Sequence, residues 1–167
     1  MTPLDENDLR GSFVNCSKGE ARRLWVPRDL ASLPWADLDF LGWRDPGAPD
    51  RGYLAAEHRG VLTGVVLRAP QGARRSLLRT TVCSVCVTAH PGSGVSLFAA
   101  PRAGAAGRQG NTVGTYLCAD LACPLYVRGK RRTGLGARYE ETLTVEEQVA
   151  RMTDNLHAFL DQVLAAA

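Results

Sequence analysis

Four of the five cysteines fall in two pairs. Cys83-Ser84-Val85-Cys86 is followed, after 31 intervening residues, by Cys118-Ala119-Asp120-Leu121-Ala122-Cys123. A C-x-x-C step turns the backbone so that both thiolates face one point. The two pairs together supply four thiolates, enough to close the tetrahedral shell of Zn²⁺ at about 2.3 Å each. We expect one structural Zn²⁺ per chain, held by Cys83, Cys86, Cys118 and Cys123. The second pair, with four residues between its cysteines, is looser than the usual two. Two other readings stand beside this one. A thioredoxin-like redox pair needs a βαβ unit around the C-x-x-C, and none surrounds it. Buried apolar thiols would not require this spacing. A shell closed by four sulfurs leaves no open position for water, so the metal is expected to be structural rather than catalytic. The G-x-S-x-G, Walker-type and G-x-G-x-x-G patterns and the His-x-Glu of zinc deaminases do not occur. His90, before Pro91-Gly92, reads as a turn residue or a support for the ligands. Cys16 is expected to pack between the first two helices. The protein is therefore read as a binder without enzymatic activity or a small-molecule substrate.

The elements that must position these thiolates are legible in outline. Thr2, Pro3, Asp5 and Glu6 resemble a helix start, and Ser17 with Glu20 forms a capping box for a second helix ending by Pro27. Trp25, Trp35 and Trp43 all precede residue 44 and read as a packing cluster. Residues 44–50 form a turn-rich joint. Beyond it the period becomes two: residues 53–57 and 61–67 read as a β-hairpin around Arg59-Gly60, with further strands at 77–82, 95–100 and 112–117. Residues 70–76 and 129–134 read as basic loops, and 101–111 as an exposed connection. A short helix is expected within 119–127. Thr144 and Glu147 cap a long amphipathic helix whose stripe runs through Val145, Val149, Met152, Leu156, Phe159, Leu160 and Val163. The order is knuckle, hairpin, strand, helix, the plan of a treble-clef finger. The fold class is α+β: a small antiparallel sheet with hairpins around the four-cysteine site, flanked by short N-terminal helices and a long C-terminal helix. We expect a single domain over 1–167, with a helical segment at 1–46, a basic zinc-binding β-rich core at 51–138 and the helix at 142–165.

Charge is unevenly distributed. Residues 51–138 hold 13 Lys/Arg against 2 Asp/Glu, net +11, and the two flanks hold 7 against 15, net −8. A basic body points to an anionic partner, either an acidic protein face or nucleic acid. No run of about 18 apolar residues occurs, so no membrane span is expected. The acidic N-terminus MTPLDENDLR has no apolar core, so no secretory signal is read, and the expected location is the cytoplasm.

Ser12-Phe13-Val14-Asn15-Cys16-Ser17-Lys18-Gly19-Glu20, Asp37 to Pro46, the Cys83 knuckle and Gly114 to Cys123 together resemble the actinobacterial FBP-domain proteins. These are similar in turn to the C-terminal zinc-binding domain of the FusB-type fusidic-acid-resistance proteins. The resemblance to the actinobacterial group covers nearly the whole chain, and that to FusB proper centres on the cysteines. It implies a treble-clef zinc domain that binds elongation factor G and releases it from a drug-stalled ribosome. The N-terminal helical bundle of FusB proteins has only short helices before residue 46 as its counterpart here. Candidate contacts for an acidic partner are Phe98, Arg102 and Arg108 on one side of the metal site, and Tyr126, Arg128, Lys130 and Arg131 after the last ligand. Alternation along 95–100 places Phe98 opposite Leu97 without saying which face is wet. The alternative function is an RNA-binding or ribosome-binding zinc module using the same basic stretch, although no RNP, KH or C2H2 pattern is present.

Overall fold

The N-terminal helices are set by reciprocal caps. In the computed structural model, which describes residues 1–69, 80–134 and 141–165, helix α1 covers Glu6–Ser12 and helix α2 covers Lys18–Arg23. Asp5 caps α1. Its carboxylate accepts from the Asp8 N–H, and Asp8 returns the bond to the Asp5 N–H. Ser17 and Glu20 do the same for α2, as their spacing predicts. α2 stops at Leu24, three residues before Pro27.

Two short 3₁₀ turns, Leu30–Ser32 and Trp35–Asp37, lead into a five-stranded sheet. Its strands are β1 (Phe40–Asp45), β2 (Ala48–His58), β3 (Val61–Arg68), β6 (Val95–Pro101) and β7 (Thr112–Cys118), in the order β1-β2-β3-β6-β7. The joint expected at 44–50 is thus a hairpin turn inside the sheet, with the Gly47 N–H donating to Asp45. The last residues of the expected helical segment are an edge strand. The β2–β3 turn matches its reading: Arg59 and Gly60 both have positive φ, 52° and 77°, the two-residue turn whose twist suits a hairpin.

Between β3 and β6 the ladder is reduced to the single pair Arg68↔Ala99. Residues 13–15 fill the gap. Phe13 bridges Gly64 in parallel, the Val14 N–H donates to the Gly64 carbonyl, and the Asn15 amide bonds Val66 N–H, Val66 C=O and Pro101 C=O. This close approach needs a glycine, because a Cβ on residue 64 would run into Ser12 Oγ and come within 3.2 Å of the Phe13 ring.

Strands β4 (Thr80–Val82) and β5 (Ala89–Pro91) form a second, two-stranded sheet. The basic loop at 70–76 and the start of the strand expected at 77–82 lie outside the described residues, as does part of the region after 134. The connection at 101–111 is not wholly exposed. It contains a short helix α3 (Gly104–Arg108) whose Ala106 is buried. Its entry is tied down by Ala103 N–H to Val163 C=O and by Arg102 to Gln162 C=O. Helix α4 (Cys123–Val127) and helix α5 (Val145–Leu164) complete the chain.

The large sheet separates two cores. Alternation along the strands puts Phe40, Leu54, Ala56, Val65 and Leu67 on one face, with the four site cysteines and Met152, Leu156, Phe159, Leu160 and Val163 of α5. Leu41, Trp43, Tyr53 and Ala55 point the other way, toward Leu9, Ala21, Leu24 and Trp35 of the N-terminal segment. The interior strand β2 is therefore apolar without interruption from Tyr53 to Ala56, as a strand covered on both faces must be. Trp35 and Trp43 join that second core, whereas Trp25 lies at the surface. α5 is fastened at its far end by Asp161, which meets His58 Nε2 at 2.9 Å and Arg59 at 2.8 Å. Among the described residues no helix is long and apolar enough to cross a membrane.

Candidate metal centre

The two cysteine pairs are delivered by different local devices. Cys83 and Cys86 lie in the turn between β4 and β5. There the Val87 N–H donates to the Cys83 carbonyl, the Cys83 N–H to Thr88, and the Cys86 N–H to Cys83 Sγ. Val87 takes positive φ, 60°, which closes the knuckle. Cys118 ends β7. The looser second spacing is absorbed by a tight turn: Leu121 also has φ 60°, its N–H donates to the Cys118 carbonyl, and the Ala122 N–H donates to Asp120. Cys123 then stands at the first position of α4, where Pro124 is tolerated because the first turn needs no intrahelical donor.

The four ligand atoms lie within 4.8 Å of one another, and all four residues are buried. Cys83 Sγ and Cys123 Sγ are 3.7 Å apart, and Cys86 Sγ and Cys118 Sγ are 3.5 Å apart. A tetrahedron with Zn–S bonds of about 2.3 Å has edges of about 3.8 Å, so the spacing suits a zinc ion at the centre. No disulfide links them. Four crowded thiols ionise unevenly. Hydrogen bonds from Cys118, Cys123 and Cys86 hold Cys83 far below the ordinary thiol range, while hydrogen bonding with Cys118 and Cys83, and burial, push Cys123 up. When bound, zinc supplies the positive charge that lets all four ionise. The donor set is closed, and the arrangement organises the chain rather than presenting a reactive position.

The residues around the sulfurs support them. His90 is buried with Nε2 3.2 Å from Cys118 Sγ, and burial pushes its pKa down, so it stands as a neutral imidazole. With its hydrogen on Nε2 it donates to that sulfur. The Thr88 hydroxyl is 3.2 Å from Cys86 Sγ. Ser84 N–H donates to Tyr116 C=O, joining the knuckle to β7, and Asn155 of α5 donates to Val85 C=O. Asn155 is a contact that sequence reading missed, since a single polar residue beside an apolar stripe looks like ordinary surface.

Gly42 of β1 was also missed. A Cβ there would sit 2.5 Å from the Leu121 carbonyl and 2.6 Å from Leu121 Cβ. The contact is with backbone of the Cys118–Cys123 turn, so it cannot be relieved by a side-chain rotation. Gly42→Ala is expected to destabilise the protein by about 1–3 kcal/mol and to loosen zinc. A melting curve with a chelator competition checks both, and an unchanged zinc affinity would show that β1 does not brace the ligand turn.

The expected partner residues are placed unevenly. Phe98 is a correction: it is wholly buried, its ring under the Arg44 guanidinium at 5.0 Å. The Phe98 face of β6 is covered by the main core, and it is Leu97 and Ala99 that turn outward. Tyr126 is half-buried, packs edge-on against His90 at 4.7 Å, and donates its hydroxyl to Asp120. Arg128 forks onto both oxygens of Asp39, at 2.6 and 3.0 Å. Lys130 pairs with Asp37 and Arg131 with Asp120. Part of the basic body is thus answered by the chain's own acidic N-terminal segment. Arg108 is exposed on α3, and the Lys130 and Arg131 side chains remain about half exposed.

This order of knuckle, β6–β7 hairpin and ligand-bearing helix is a treble clef. No curated protein sequence matches the chain. Among solved structures the fold is similar to that of the fusidic acid resistance protein FusC, with a TM-score of 0.52 and 15% sequence identity over 83% of this chain. The chain spans about half of FusC, 51% of its length. The model of the FBP C-terminal treble-clef zinc-finger family matches residues 8–163, which takes in both cysteine pairs, the sheet and nearly all of α5, and the chain belongs to that family.

Proposed function

We propose that this protein is a non-enzymatic, cytoplasmic zinc protein that binds translation elongation factor G and frees it from the ribosome. The observation that carries this reading is a closed four-sulfur site set in a fold shared with a fusidic acid resistance protein, with exposed apolar and basic side chains near it. Val82 and Val87 flank the knuckle and are 51% and 36% exposed, and Tyr116, whose carbonyl accepts from the knuckle, is 45% exposed. Lys130 and Arg131 add positive charge after the last ligand. An apolar centre with a basic rim on a metal-braced turn is the usual build of a protein interface.

Capture of purified elongation factor G by the nuclease-treated protein tests the reading. Tyr116→Ala is expected to shorten the lifetime of the complex by roughly 2 kcal/mol, about thirtyfold, with zinc retained. Lys130→Ala with Arg131→Ala is expected to slow association, most at low salt. Binding that disappears with nuclease, or a Tyr116→Ala protein that binds as wild type, would transfer the function to ribosomal RNA or to another surface.

A further inference from the structure

The face of the sheet away from the metal carries a cavity that the partner reading does not use. Its volume is about 220 Å³. Arg51 and Tyr53 lie two apart on β2 and so share a face, and Arg68 and Val66 stand directly opposite them on β3. α2 and its C-cap contribute Arg23 and Leu24 to the same cavity.

Arg51 and Arg68 are cross-strand partners, the placement in which like charges repel most. Arg23 brings a third guanidinium. Two carboxylates also line the cavity, and one of them, Glu20, is attracted by Arg51 and Arg23. Glu20 accepts from the Ser17 N–H in the α2 cap, and Asp45 accepts from the Tyr53 hydroxyl at 2.8 Å and from the Gly47 N–H at 2.9 Å. None of the three arginines forms an ion pair among the described residues. The hairpin and α2 thus gather three guanidiniums against two carboxylates, a net positive cluster over a partly apolar floor.

A guanidinium is a planar fork of donors that pairs bidentately with oxyanions. A phosphoryl group presents three terminal oxygens, one for each fork, and a carboxylate only two. The volume lies below the range of about 300–1,000 Å³ that holds drug-sized ligands, so the ligand is small. We propose that Arg23, Arg51 and Arg68 form a binding site for the phosphoryl group of a small molecule.

The zinc-loaded full chain is titrated with inorganic phosphate at constant ionic strength, chloride balancing, and followed by amide chemical shifts and melting temperature. Saturable shifts are expected at residues 20–24, 51–53 and 66–68, with a rise in melting temperature. Arg51→Ala and Arg68→Ala should each weaken phosphate binding about tenfold or more, as loss of a charge-assisted pair does. Without phosphate, Arg68→Ala should melt no lower than wild type, because it removes the opposed charge. Arg51→Lys, which keeps the charge and loses the fork, should bind phosphate more weakly than wild type. Acetate at the same ionic strength should shift these amides far less. Equal responses to acetate and phosphate would reduce the site to a charge effect and overturn the assignment. So would arginine variants that titrate like wild type, or shifts that never saturate.

Discussion

Removing zinc is expected to unfold the metal-side half of the protein. Chelation under reducing conditions should abolish the cooperative melting transition of that half and expose its core. Structural zinc in small fingers carries an apparent binding free energy of about 10–16 kcal/mol, as large as the whole stability of a typical domain at about 5–15 kcal/mol. Here the loss would spread. The four cysteines belong to the same core cluster as Phe40, Leu54, Leu117 and the buried stripe of α5. Asn155 anchors that helix to the knuckle, so undoing the knuckle also undoes the docking of α5. Each of Cys83→Ser, Cys86→Ser, Cys118→Ser and Cys123→Ser should fail to retain one zinc per chain. Cys16→Ser should keep it, because Cys16 lies with the opposite core and its thiol, pushed up by burial, stays protonated. Metal analysis with circular dichroism decides the matter. Unchanged spectra and melting after complete zinc removal would show that the sulfurs are packing groups only.

The second large effect concerns Phe98. Phe98→Ala should cost about 3–5 kcal/mol, the usual loss for a buried aromatic truncated to alanine. For a chain of this size that lowers the melting temperature by of order 10 °C. The side chain is wholly buried, Arg44 lies over its ring, and a Cβ on Gly52 would come within 3.2 Å of it. Little space is left for collapse around the hole. Arg44 also donates to the Ala119 carbonyl between the two ligand cysteines, so the cavity opens beside the metal turn. Under the proposed function, the folded fraction should bind elongation factor G with unchanged kinetics, since the residue has no surface to offer. A variant with normal melting and impaired binding would return Phe98 to the interface.

What was legible in the sequence was written within a few residues of itself. The capping boxes at Ser17/Glu20 and Thr144/Glu147, the Arg59-Gly60 hairpin turn and the C-x-x-C knuckle each depend on hydrogen bonds or φ angles spanning three or four positions. The four ligands could be grouped because spacing and tetrahedral chemistry constrain each other. The helix stripe from Val149 to Val163 follows the same logic, since one face of a regular helix is a local property. Tertiary structure alone decided the rest. Which side of β6 is covered depends on α5 and β2, far away in the chain, and alternation is symmetric until something packs on one side. The 44–50 turn joins two strands because Phe40–Asp45 finds β2 as a partner, and a short aromatic stretch cannot announce that partner by itself. The basic run after Cys123 looked free because Asp37 and Asp39 lie some ninety residues earlier, and ion pairs are set by proximity in space. The meeting of Arg51, Arg68 and Arg23 arises in the same way: register opposes the first two, and the separate helix α2, earlier in the chain, supplies the third.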